Sequence, residues 1–157
     1  MSEATTRAAI KTILDSVTDV GKTYNRTRWA VTFDAILNFF KTGIGGKEQI
    51  RGWDMELTSF EQAPRTLQGH TRTYIYIIRG RLATNDAEAT ELTMAALAES
   101  VVNALDQSST FGYSVARTFP KQSAPAQLTT FEYRMFGDTL CHYVEITQAA
   151  VEMVSAV

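Results

Sequence analysis

The chain has 157 residues, 45% of them hydrophobic and 20% charged, which suits one well-buried core in a single soluble domain spanning 1–157. A formal charge of -2 argues against binding nucleic acid through wholesale phosphate neutralisation, so no direct nucleic-acid recognition is expected, although Arg65, Arg72, Arg79 and Arg81 bunch together. One cysteine, Cys141, allows no internal disulfide, the charged amphipathic N-terminus does not read as a signal-peptide core, and no run of about eighteen apolar residues offers a membrane span.

Ile10, Ile13, Leu14 and Val17 recur at helical spacing and predict a first amphipathic helix that ends near Thr18, with Gly21 as a left-handed cap. Gly21-Lys22-Thr23 fails as a phosphate loop, because Ser16 stands where that motif needs glycine and a helix precedes it instead of a strand. A second helix is expected from Thr27 to Lys41, with Trp29, Phe33, Ile36, Leu37 and Phe40 in one stripe whose commoner use is core packing, not a cofactor pocket. Thr42 to Gly46 then reads as a mobile link.

Ile50 to Phe60 alternates, with Trp53, Met55 and Leu57 on one face, and is expected to pair with the next strand across a loop from Glu61 to Gly69. His70 to Ala83 is the most strongly β-reading segment. Tyr74, Tyr76, Ile78 and Leu82 fall on one side of it, and Thr73, Ile75, Ile77, Arg79 and Arg81 on the other. Helices belong on the first face and another subunit on the second.

Asn85 and Glu88 have the spacing of a capping box before a helix with Met94, Leu97, Ala98, Val101 and Leu105 on its apolar face. Gln107 to Gln127 is a long irregular connection in which Phe111, Tyr113 and Val115 could form a short strand. Gly137-Asp138 then predicts a hairpin that sets Met135 opposite Leu140, Tyr133 opposite His142 and Phe131 opposite Val144 as the core set, with Arg134 and Cys141 on the outer face. A change of apolar parity near Thr147 predicts a bulge or a departing tail.

No catalytic constellation emerges. Cys141 and His142 resemble a nucleophile and its base, but adjacent strand residues face opposite ways, and His142 reads instead as a buried partner for the Tyr133 hydroxyl. His70 lacks the further ligands that a metal would need, and Glu132 and Glu145 read as solvated or salt-bridged charges, so no cofactor, no metal and no enzymatic activity are expected.

The motifs Val20-Gly21-Lys22, Arg28-Trp29, Ile50-Arg51-Gly52-Trp53, Thr73-Tyr74, Ile78-Arg79-Gly80 and Cys141 to Ile146, in this order of elements, resemble the tail-terminator (tail-completion, minor tail) proteins of long-tailed phages and prophages. The resemblance spans nearly the whole chain. It implies an α+β subunit, ordered α-α-β-β-α-β-β, with an antiparallel sheet of about four strands and helices packed on one face. It also implies a homohexameric ring in the virion tail, assembled in the host bacterial cytoplasm, that meets the tail-tube protein and the head-tail connector proteins. The apolar and charged mixture on the outer face makes Ile75, Ile77, Arg79, Arg81, Arg134 and Tyr143 the candidate subunit or tube interface. The competing reading is a small-molecule-binding protein or enzyme with a pocket lined by Tyr74, Tyr76, Tyr133 and His142.

Overall fold

The computed structural model describes residues 3–29, 32–66, 69–108, 121–122 and 124–155. The fold is α+β: α1 (Glu3–Ser16), β1 (Lys22–Thr23), α2 (Phe33–Phe40), β2 (Lys41–Ile44), β3 (Lys47–Thr66), β4 (Gly69–Ala83), α3 (Thr90–Gln107), β5 (Lys121–Gln122), β6 (Gln127–Phe136) and β7 (Thr139–Ser155). No helix among the described residues is long and apolar enough to cross a membrane.

The four expected strands are the long ones, and they pair antiparallel in the spatial order β3, β4, β7, β6. Three short strands make the sheet mixed and change the expected element order. β1 pairs parallel with β3, whereas β2 adds to β3 and β5 to β7 in antiparallel fashion. The supposed mobile link is thus a hairpin. Gly45 and Gly46, at φ 61° and 78°, form its two-residue turn, a conformation that glycine adopts without a Cβ clash. The supposed loop from Glu61 is likewise strand, because pairing with β4 runs on from Glu61↔Thr73 to Thr66↔Gly69 after a register shift near Thr58.

Helices cover both faces of the sheet instead of one. On the first, Ile10 and Leu14 of α1 and Met94, Val101 and Leu105 of α3 pack over Trp53, Met55, Tyr76, Ile78, Val144 and Ile146. On the other, Leu37 and Phe40 of α2 enclose Ile50 and Cys141 in a smaller core. The reason is α2's start. Thr32, not Thr27, is the N-cap and accepts a hydrogen bond from the Ala35 amide at 3.3 Å, so residues 27–29 stay outside the helix and lie against the outer face. There the Tyr24 amide donates to the Trp53 carbonyl and the Tyr24 hydroxyl to that of Phe39. Trp29 therefore leaves the helical stripe and is 81% exposed. The Phe33 side chain lies outside the described residues, as does the strand considered at Phe111, Tyr113 and Val115.

Two local readings are corrected. Gly21 does not cap α1, since the left-handed residue after the helix is Asp19 at φ 56°, and Gly21 instead lies against the Arg51 backbone. Asn85 makes no side-chain cap; a short 3-10 turn at Asp86–Glu88 and left-handed Ala89 lead into α3, and Thr90 holds the corner by accepting from the Asn85 amide at 2.8 Å.

Candidate functional site

The outer face of β4 carries the residues singled out from the sequence. Ile75, Ile77 and Arg79 are half-buried there, while Tyr74, Tyr76, Ile78 and Leu82 are buried on the other side, as strand alternation requires. Cross-strand pairing sets Arg79 opposite both Asp54 and Glu145, and Arg81 opposite Tyr143. The charges are matched across strands. Arg79 pairs with Glu56 at 2.5 Å, Arg81 with Asp54 at 3.0 Å, and Arg134 with Glu132 at 2.5 Å. Asp54 is only 1% exposed, and burial raises its pKa against the opposing pull of Arg81 and Arg79.

Aromatic rings fix the guanidinium groups. Arg81 lies 4.8 Å from the Phe136 ring centroid and 5.0 Å from that of Phe40, and Arg134 lies 3.9 Å from that of Tyr143. Burial pushes the Tyr143 hydroxyl up to about 12, helped by its hydrogen bond to Glu145. Arg28 stacks over Tyr24 at 4.9 Å and Phe39 at 4.1 Å. Between the strand face and the segment 27–29 opens a cleft of about 390 Å³, lined by Arg28, Trp29, Arg79, Arg81, Arg134 and Tyr143 among others. Four of the six expected interface residues therefore meet at one cleft, and Ile75 and Ile77 lie further along the same strand face. Trp29, Arg28 and the buried Asp54 were missed. The signal for Asp54 was present, since alternation puts Asp54 and Glu56 on the face that meets Arg79 and Arg81.

The alternative pocket does not form. Tyr74 and Tyr76 are core residues whose hydroxyls meet Glu152 at 2.7 Å and Glu3 at 3.3 Å. Tyr133 and His142 line a separate cavity of about 230 Å³ beside Thr90 and Glu91. Tyr76 stands six residues along β4 from Leu82, the partner of His142, a separation of about 20 Å. Nor does His142 serve the Tyr133 hydroxyl. That hydroxyl donates to Glu91 at 3.2 Å, the Tyr133 ring lies 5.0 Å from the imidazole, and His142 Nε2 meets the Thr90 hydroxyl at 2.9 Å.

The hairpin register holds at every expected pair, yet its burial does not follow. Strand β6 meets α3 through the Tyr133 hydroxyl at Glu91, yet Phe131, Tyr133 and Met135 of β6 and Leu140 at the start of β7 are exposed, whereas Cys141, His142, Tyr143 and Val144 of β7 are all buried. Cys141 is thus enclosed on the outer face, facing away from His142, and burial pushes its thiol up to about 11. Strand β7 also runs without a bulge against β4 to Ser155. Its parity survives because Gln148 and Glu152 occupy the helix face with hydrogen bonds, to Ala124 and Ala149 carbonyls and to Tyr74. Glu132 and Glu145 are held by different partners, Arg134 and Arg79 respectively. Among the described residues no group of three or more His, Cys, Asp or Glu side chains is placed to hold a metal ion. No protein-family model matches this sequence, and a search of curated proteins finds no match.

Proposed function

We propose that this chain is a structural tail protein of a long-tailed phage or prophage, which assembles as a homo-oligomeric, hexameric ring at the end of the tail tube. In that place it ends tube growth and offers a surface to the head-tail connector proteins. The support is the order of short motifs along the chain together with one observation: the outer face of β4 leaves Ile75 and Ile77 half-exposed inside a frame of paired charges, Arg79 with Glu56 and Arg81 with Asp54. An apolar centre with a charged rim is the composition of a subunit interface. The function asks for no catalytic residue or cofactor; its work is association with itself and with the tube.

Light scattering over a concentration series, with and without isolated tail tubes, tests this reading. A closed oligomer that forms at high protein concentration or on contact with tubes is the expected result. A strict monomer that also ignores the tubes would overturn it.

A further inference from the structure

Strand β6 is an edge of the sheet: among the described residues it pairs with β7 alone. Every residue from Phe131 to Met135 is exposed, with Phe131, Tyr133 and Met135 on one face and Glu132 and Arg134 on the other. Edges that stay single are commonly blunted by a proline, a lysine or a bulge. Residues 130–136 hold none of these, since the irregularity in the pairing with β7 comes before Thr130 and the turn begins after Phe136. The backbone groups on the open side can be named. Met135 lies opposite Leu140, whose carbonyl turns the other way and accepts from the Thr84 amide at 3.0 Å. Met135 and Leu140 are therefore a pair that exchanges no backbone hydrogen bonds, and the N–H and C=O of Met135 face away from β7. With a period of two, so do those of Tyr133 and Phe131.

We propose that a second copy of this chain pairs with this edge, its own residues 130–136 running antiparallel to those of the first about a two-fold axis at Tyr133. The occupant follows from the register. Centring on Tyr133 sets Glu132 opposite Arg134 of the second copy and Arg134 opposite its Glu132, and on the other face it matches Phe131 with Met135 and Tyr133 with Tyr133. The outward N–H and C=O groups then meet their like, so each of those apolar pairs exchanges both backbone bonds. Centring on Glu132 or on Arg134 would set that charge against itself, and centring on Phe131 or Met135 would carry the pairing past the irregularity or into the turn. Glu132 and Arg134 already pair within one chain at 2.5 Å; docking leaves that half-exposed pair in place and adds an opposite charge across from each member. The edge is thus complementary to itself read in reverse, which a different partner would have to imitate. A two-fold contact closes at two copies, so this dimer is separate from the ring proposed above and stands or falls without it.

Sedimentation of the full chain without tail tubes tests the contact. Wild type should reach a dimer as concentration rises, and a chain that stays monomeric up to about 1 mM overturns the proposal. Arg134→Glu and Glu132→Arg each set like charges across the axis, and each should weaken the dimer by at least about tenfold. Their equimolar mixture sets the arginines of one chain against the glutamates of the other and should dimerise as wild type does, as should the double variant Glu132→Arg with Arg134→Glu. Single variants as tight as wild type, or a mixture no tighter than its parts, overturn the register. Hydrogen exchange on wild type needs no variant and decides the matter should one unfold by circular dichroism. The Phe131, Tyr133 and Met135 amides should exchange freely in dilute solution and become protected as concentration rises, whereas those of Glu132 and Arg134 bond to β7 and stay protected throughout. An assembled sample in which the first three remain unprotected overturns this contact; if that sample is a larger ring, the reading under which the ring was proposed survives.

Discussion

Cys141 and His142 are adjacent in sequence and serve different cores, which makes them sensitive probes of the fold. The imidazole lies beside the start of α3, bonded to Thr90, and its Nδ1 is buried without a partner. Burial holds its pKa below the ordinary 6.5, against the opposing pull of Glu91. The unfolded chain therefore binds a proton there at a pH where the folded chain does not, and stability should be complete above about pH 6.5 and decline as the pH falls toward the folded pKa. Asp54 acts with the opposite sign. Its raised pKa means that the folded chain takes up the proton first, so acid relieves a cost in that window. Chemical denaturation of His142→Gln between about pH 7 and 5 should give a flatter profile than wild type, whereas Asp54→Asn should keep the wild-type slope near neutrality. An unchanged slope in His142→Gln would remove the histidine from the account. Cys141→Ser places a hydroxyl in the smaller core, where the thiol now reaches the Thr139 carbonyl at 3.7 Å, and a loss of about 1 to 2 kcal/mol is expected in the same measurement.

At the scale of elements, the strands were far more legible than their surroundings. Alternation fixed the two faces of β4, and the Gly137-Asp138 turn fixed the β6–β7 register, because both follow from local geometry with a period of two. Burial is a tertiary property. Nothing local told that α2 would wrap the outer face around Cys141, or that β6 would be left with Met135 59% and Tyr133 56% exposed. The glycine in Ile78-Arg79-Gly80 shows how a short motif encodes packing. A Cβ at Gly80 would lie 2.6 Å from the Trp53 ring and 2.8 Å from the Met94 terminal methyl, in the most crowded part of the larger core. Gly80→Ala is accordingly expected to cost about 1 to 3 kcal/mol by thermal or urea denaturation. Pairing it with Met94→Ala should recover part of the loss, and a simple sum of the two losses would mean that crowding is not the cause.

At the scale of the molecule, the question is what the outer face is for, and strand alternation turns it into a comparison of neighbours. Tyr76 is fully buried beneath the helices with its hydroxyl at Glu3, whereas Ile77, one residue on, is half-exposed between Glu56 and Thr147. Aspartate at Tyr76 would bury a charge beneath the helices, where the nearby Arg7 guanidinium is already paired with Glu3, a cost that marginal stability does not survive. Aspartate at Ile77 keeps access to water in the isolated subunit, so the fold should persist, with a loss of about 1 kcal/mol from removed apolar contact. The same aspartate inside an assembled interface would be desolvated beside Glu56 and should prevent association. Ile77→Asp is thus expected to be folded by circular dichroism and no larger than the β6-edge dimer by sedimentation, and Tyr76→Asp an unfolded chain. If Ile77→Asp still assembles beyond two copies, the subunits of the ring must meet elsewhere.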